Sequence, residues 1–353
     1  MSACSDVPLA PAAARSVDQE LIERIGAMGF RADQVVDEGD HFRVEGDVII
    51  LKRDLTGIRL SRAAAPGGPL HQWYTDNLVS QANMAGGLRV SLSGISSSSD
   101  WTAAARSALS AYSGGSGSKI VLVEGSPADI TFSFAALGTG VIATGSFPAS
   151  GLPGSTVTIS SAYTTPLSAA QKTWVMVHEL GHTLGFRHSN WQANGETTTP
   201  FGASQVPGTP SSDLASVMRI TPATNPTWSG FNSYDAAANA YAYPAPAPAL
   251  TADARDLGGS AHLVWSAVSD VSGYQVYQHV STYEVADATP PAVGVGTASI
   301  AVYDLGTVTT ASYTSTDTYV GNTCTRDYHV EYEIVPVYPS GKTGPSTTSR
   351  QYC

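Results

Sequence analysis

Three histidines and one glutamate stand close together in "VMVHELGHTLGFRHSN", residues 175–190. His178 and His182 are four positions apart, so on an α-helix both imidazoles share one face and reach one cation. Glu179 is rotated out of that stripe, and its carboxylate can hold a water on the cation without being a ligand. Gly185 lets the helix stop and turn through the left-handed conformation, which returns His188 to the same point. Three neutral nitrogens and one water make a tetrahedral site with an open position, the arrangement of a catalytic zinc. Hydrolysis of a peptide bond is the chemistry such a site performs. The alternative is a helix whose histidines are ordinary core or surface residues. That reading gives no reason for Glu179, Gly185 and His188 to stand in this spacing.

The element that must carry the first two histidines is a long helix, "LSAAQKTWVMVHELGHTLG" (residues 167–185). Ser168 and Gln171 form a capping box at its start, and Val177, Leu180 and Leu184 form its core stripe. Ahead of it the pattern predicts strands at "LRVSLSG", "KIVLVEG", "DITFSFA" and "STVTISSAY", and a helix at "SSSDWTAAARSALSAYSGG". At the N-terminal end, "SVDQELIERIGAMG" (residues 16–29) reads as a short helix with a Ser16–Gln19 capping box and Gly29 as C-cap. A strand-like run, "HFRVEGDVIIL", follows it. The loose segment "SRAAAPGGP" (residues 61–69) comes next and suits a proteolytic nick, so residues 1–65 read as a separable N-terminal unit and 66–243 as the metal domain. "YPAPAPAL" is a semi-rigid linker centred on residues 244–249. Beyond it, short runs with a period of two, among them "HLVWSA", "GYQVYQH", "SIAVYDL" and "DYHVEYEIV", predict a β-sandwich over residues 250–353.

Composition narrows the function. The 353 residues carry a formal charge of −11 and no basic patch, which argues against nucleic acid as a partner. No apolar run approaches the ~18 residues needed to span a membrane. Charged residues are only 13% while Gly (34) and Pro (21) are frequent, a profile that suits a loop-rich secreted or extracytoplasmic chain. Cys324 and Cys353 lie in one segment and are expected either to pair as a disulfide or to stay as reduced, buried thiols. Ser2-Ala3-Cys4 is similar to the end of a bacterial lipobox, which would make Cys4 a lipid anchor at the cell surface; an ordinary N-terminus is the other reading.

His178-Glu179-x-x-His182-x-x-Gly185-x-x-His188 resembles the signature of metzincin zinc proteases. "SVMRI" (residues 216–220), with Met218, looks like the Met-turn of that family, and Ile220 stands where astacins and serralysins carry a tyrosine. Ser189 after the third histidine is similar to matrixins, and "FNSYDAAANAYAY" resembles the C-terminal metzincin helix with Asn232 as N-cap and Asp235 at N3. H-E-L-G-H together with "FRVEGDVII" resembles the bacterial dual-action HEIGH metallopeptidases from about residue 29 to 243. The resemblance implies an α/β (α+β) metzincin catalytic domain with a twisted mixed sheet and an active-site helix, and one catalytic Zn2+ on His178, His182 and His188. Glu179 would be the general base, and Gly185 and Met218 would be structural residues near the site. Structural Ca2+ is not legible in the sequence. The C-terminal segment resembles a fibronectin type III domain through Trp265, Tyr274-Gln-Val276 and Tyr332-Glu-Ile334.

Val44-Glu45-Gly46-Asp47 is similar to the F-x-G-D of astacin pro-segments, which implies that Asp47 occupies the water's place on zinc in a latent chain. A Gly-Asp turn between two strands is the plain alternative. Asp40 and the Cys4 thiolate are the other candidates for that place. The expected protein is therefore a monomeric, secreted zinc endopeptidase made as a zymogen and acting on protein or peptide. Its rival is an adhesive protein in which the sandwich works and the metal domain is a scaffold; an intact Glu179 counts against that.

Overall fold

The computed structural model describes residues 17–28, 30–55, 72–73, 78–190, 204–210, 213–220, 226–255, 260–283, 298–315 and 328–349. Helix α1 (Val17–Ala27) places Leu21, Ile22 and Ile25 on one face. Its expected caps, Ser16 and Gly29, lie outside the described residues. The run read as one strand is a hairpin. β1 (Val36–Asp37), β2 (His41–Val44) and β3 (Val48–Leu51) pair antiparallel, with Val44 opposite Val48. The reversal falls on Glu45 and Gly46, whose φ angles are 55° and 98°. Phe42, Val44, Val48 and Ile50 turn inward onto Ile25, Met28, Phe30 and Leu55. Phe147, from beyond residue 65, completes that cluster.

β4 (Gln72–Trp73) precedes α2 (Gln81–Ala85), β5 (Leu88–Gly94) and α3 (Ser99–Ser113). Then come β6 (Leu122–Glu124), β7 (Ile130–Ala135), β8 (Ala143–Ser146), β9 (Thr156–Ser160) and α4 (Ala169–Thr183). β10 (Ser204–Gln205) pairs with β4. An eight-stranded mixed sheet runs β1-β2-β3-β8-β9-β7-β5-β6. β8 is antiparallel to β9, and β3 lies parallel to β8, so the N-terminal hairpin extends the sheet of the metal domain. α3 and α4 bury Ala104, Ala105, Ala108, Leu109, Val177, Leu180 and Leu184 with Val90, Ile130, Phe132, Val157 and Ile159 of the sheet. The Ser168–Gln171 capping box is present at the start of α4. Helix α5 (Ser233–Ala242) opens on Asn232, whose side chain accepts from Tyr234 N–H and Asp235 N–H, and Asp235 completes a second capping box.

After α5, Ala245 is buried and its N–H donates to Gly117 O at 3.1 Å, so the Pro/Ala segment is packed down at this point. The remaining strands are β11 (Leu250–Arg255), β12 (Ala261–Trp265), β13 (Gly273–Tyr283), β14 (Ala298–Val308), β15 (Ser312–Thr314), β16 (Tyr328–Val337) and β17 (Thr347–Thr348). They form antiparallel sheets ordered β11-β12-β15 and β14-β13-β16-β17. Leu263 and Trp265 of one meet Tyr274, Val276, Val330, Tyr332 and Ile334 of the other in a single core. The fold class is thus a mixed α+β domain followed by an all-β domain.

Candidate metal centre

α4 ends at Thr183, and the next residues form a Schellman motif. Gly185 N–H donates to His182 O at 2.9 Å and Phe186 N–H to Gly181 O at 3.0 Å. Gly185 has φ 96°, a region a side chain disfavours. The chain therefore doubles back, and His188 returns to the face that carries His178 and His182. All three rings are buried. His178 stacks on Trp174 at 5.0 Å and on His188 at 5.2 Å, while His182 stands edge-on to both histidines.

Each ring is oriented by a bond on the side away from its neighbours. His178 Nδ1 is 2.7 Å from Val217 O, His182 Nδ1 is 2.8 Å from Phe186 O, and His188 Nδ1 is 2.7 Å from Glu45 Oε2. Oxygens of this kind accept, so each Nδ1 donates, and a ring in its neutral form turns a bare Nε2 lone pair inward. Those Nε2 atoms lie 3.1 Å (His182 to His178) and 3.3 Å (His188 to His178) apart. Asp47 joins them: its Oδ2 is 3.4 Å from His178 Nε2 and its Oδ1 is 3.3 Å from His188 Nε2 and 3.8 Å from His182 Nε2. Asp47 Oδ1 is buried without a hydrogen-bond partner. Facing lone pairs repel unless a cation lies between them. Three imidazoles and one carboxylate with ligand atoms within 4.8 Å of one another fit the ligand number and types of zinc.

Glu179 is buried beside this cluster, and its Oε2 has no hydrogen-bond partner. Burial, and then the negative charge of Asp47, push its pKa well above the usual carboxylate range. Burial alone would also raise Asp47, but the histidines, His188 foremost, outweigh it and hold Asp47 well below that range. Burial, followed by the two neighbouring rings, lowers His182 to about 3, so that ring is neutral near pH 7.

The floor of the site comes from residues 216–220. Val217 O orients His178, and Ser189 N–H donates to Met218 O at 2.7 Å. Met218 packs directly on Gly181 of α4, where an added Cβ would lie 2.3 Å from Met218 Sδ and 2.9 Å from Tyr112 Oη. This contact is the reason a glycine stands between Glu179 and His182, and the motif alone did not disclose it. Asp235 of α5 holds the same turn from behind: it accepts from Ser216 Oγ at 2.7 Å and Val217 N–H at 3.1 Å. In the sequence Glu45 is only the variable position of Val44-Glu45-Gly46-Asp47; in the fold it orients His188. Its neighbour in the turn, Asp47, is brought to the histidines, whereas Asp40 is an exposed side chain paired with His41 and lies outside the cluster. Cys4, Cys324 and Cys353 lie outside the described residues, so the disulfide and lipid-anchor expectations have no structural counterpart here.

Comparison with known proteins gives a family model, "dual-action HEIGH metallo-peptidase", that matches residues 43–243. The match begins inside β2 and so takes in Glu45 and Asp47 as well as the histidine helix. Among solved structures, myroilysin is 16% identical with a TM-score of 0.34, over 49% of this chain and 98% of that one. High choriolytic enzyme 1, a hatching enzyme zinc-protease from Oryzias latipes (medaka fish), is 18% identical with a TM-score of 0.31, over 49% and 96%. An Fn3-like protein from Clostridium thermocellum is 24% identical with a TM-score of 0.19, over 30% and 88%. No curated protein matches the chain.

Proposed function

The chain belongs to the dual-action HEIGH metallo-peptidase family, and from that premise we propose that it is a zinc endopeptidase folded here in its latent state. On this reading residues 1–65 are the latency segment, 66–243 the protease, 244–249 the linker and 250–353 a fibronectin type III-like module. Nε2 of His178, His182 and His188 would hold the zinc, and the Asp47 carboxylate would take the remaining position. When bound, zinc supplies a Lewis acid for the scissile carbonyl and the attacking water. Glu179 takes the water's proton and passes it to the leaving amine. Val217 O, Phe186 O and Glu45 keep the rings in the tautomer that faces inward. On this reading Asp47 would take the position that the attacking water needs, and hydrolysis would wait until the hairpin leaves.

The observation that carries this reading is the position of Asp47, a carboxylate from the N-terminal hairpin set among three histidines 131 or more residues away. Two substitutions test it. Glu179→Ala should abolish chelator-sensitive casein hydrolysis while the zinc content stays near one per chain; residual cleavage at the native rate would refute the mechanism. Asp47→Ala should raise hydrolysis by the uncleaved chain. Unchanged activity would remove latency from the proposal but leave the peptidase standing. A low charged fraction and the need to restrain a preformed protease support a place outside the cytoplasm. The substrate is protein or peptide, and the monomer is the working state.

A further inference from the structure

The side chain next to the third histidine points away from the metal and into the N-terminal unit. Arg187 is fully buried. Its Nη1 donates to Met28 O at 3.0 Å, at the end of α1. Its guanidinium lies over the Phe30 ring, 3.9 Å from the centroid. Its Nη2 is 3.4 Å from Glu45 Oε1, and the Glu45 side chain is also fully buried. The other Glu45 oxygen receives His188 Nδ1. One cation thus gathers three separate parts of the N-terminal unit: a helix end, an aromatic ring and the hairpin turn. Arg187's own contacts do not touch the metal position; only Glu45 also reaches it, through His188.

We propose that Arg187 and Glu45 form a second lock on the N-terminal unit that persists without zinc, so that latency has two parts: Asp47 fills the metal position and Arg187 holds the hairpin that carries it. The proposal rests on the latent reading above. Glu45 has φ 55°, and a non-glycine residue in that region is retained against a backbone cost, which fits a side chain needed at this place. A substitution that removes the Glu45 charge would leave the docked guanidinium buried without its carboxylate, which weakens the docked state of the hairpin. Release of the segment then requires more than removal of metal. A chelator alone would leave the hairpin docked.

The test uses the full chain, zinc-loaded and stripped with a chelator, and reads amide hydrogen exchange of residues 42–50. Glu45→Gln keeps size and one acceptor but removes the charge. It should speed exchange of the hairpin by about tenfold or more in both metal states. Arg187→Lys keeps the charge but loses the fork and the stacking, and should loosen the hairpin in the same way. In the double variant the combined effect should fall short of the product of the two single effects, because both share the Arg187–Glu45 ion pair. The lock is overturned if Glu45→Gln acts only when zinc is bound, if it changes nothing, or if the two effects multiply as independent ones do. Should Glu45→Gln fail to fold, Arg187→Lys in the stripped protein decides the same question. A chain that takes up no zinc would refute the metallopeptidase reading, while the stripped-state comparison would still judge the lock.

Discussion

Asp235 shows how a single carboxyl at the back of the site carries a pH signature. Burial raises its pKa to about 6, with Asp213 adding in the same direction and the bonds from Ser216, Val217 and Asn232 opposing. A folded-state pKa above the unfolded value near 3.8 means the native state binds the proton more tightly. Its stabilising contribution is therefore complete below about pH 4 and is lost as pH rises toward 6, by about 2–3 kcal/mol at most. In zinc-free protein, thermal melts between pH 4 and 7 should show this loss, and Asp235→Asn should flatten it. A variant with the same slope as the parent would show that another group titrates. The shared face of His178 and His182 was legible from spacing, because a helix fixes i and i+4 geometry locally. Glu45, Arg187 and Asp235 were not, because each acts on a partner far along the chain.

At the scale of elements, the site depends on how closely α4 lies on β8. Sequence patterning found β5, β6, β7 and β9 but passed over β8, whose residues Ala143-Thr144-Gly145-Ser146 show no apolar alternation although all four are buried. The strand is small because the helix touches it: a Cβ at Gly145 would stand 2.4 Å from Glu179 O and 3.0 Å from His182 Cβ. Gly145→Ala should push α4 outward and cost about 1–3 kcal/mol, and the zinc affinity should fall with it. Urea unfolding and metal titration together check this; unchanged values in both would place slack between strand and helix. The hairpin reads as one strand-like run in sequence, since "FRVEGDVII" is apolar on both sides of its turn, and the alternative of a turn between two strands is the one the fold adopts. The sharp reversal at Glu45 and Gly46 gives β3 its place beside β8 and sets Asp47 over the histidines.

Across the whole molecule, polar contacts join the β domain to the metal domain, one of them through a buried lysine. Lys119 is 2% exposed and its Nζ is 2.9 Å from Asp270 Oδ2. Lys342 Nζ donates to Gly115 O and Ile120 O, and Ser340 N–H donates to Ala85 O. Asp270→Ala would strand the Lys119 cation and should lower stability by about 1–3 kcal/mol, less than for a pair hidden on both sides because Asp270 is partly exposed. Calorimetry checks this, and an unchanged melting temperature would mean the two domains gain nothing from each other there. What the sequence determined by itself was local: the caps, the period of each strand and helix, and the spacing that sets two histidines on one face with a third beyond a glycine. The tertiary structure decided which remote side chains complete the centre, namely Asp47 on it, Glu45 behind His188, Arg187 beneath the hairpin and Asp235 behind the floor. Periodicity records which face of an element is buried; only the packed fold records what that face meets.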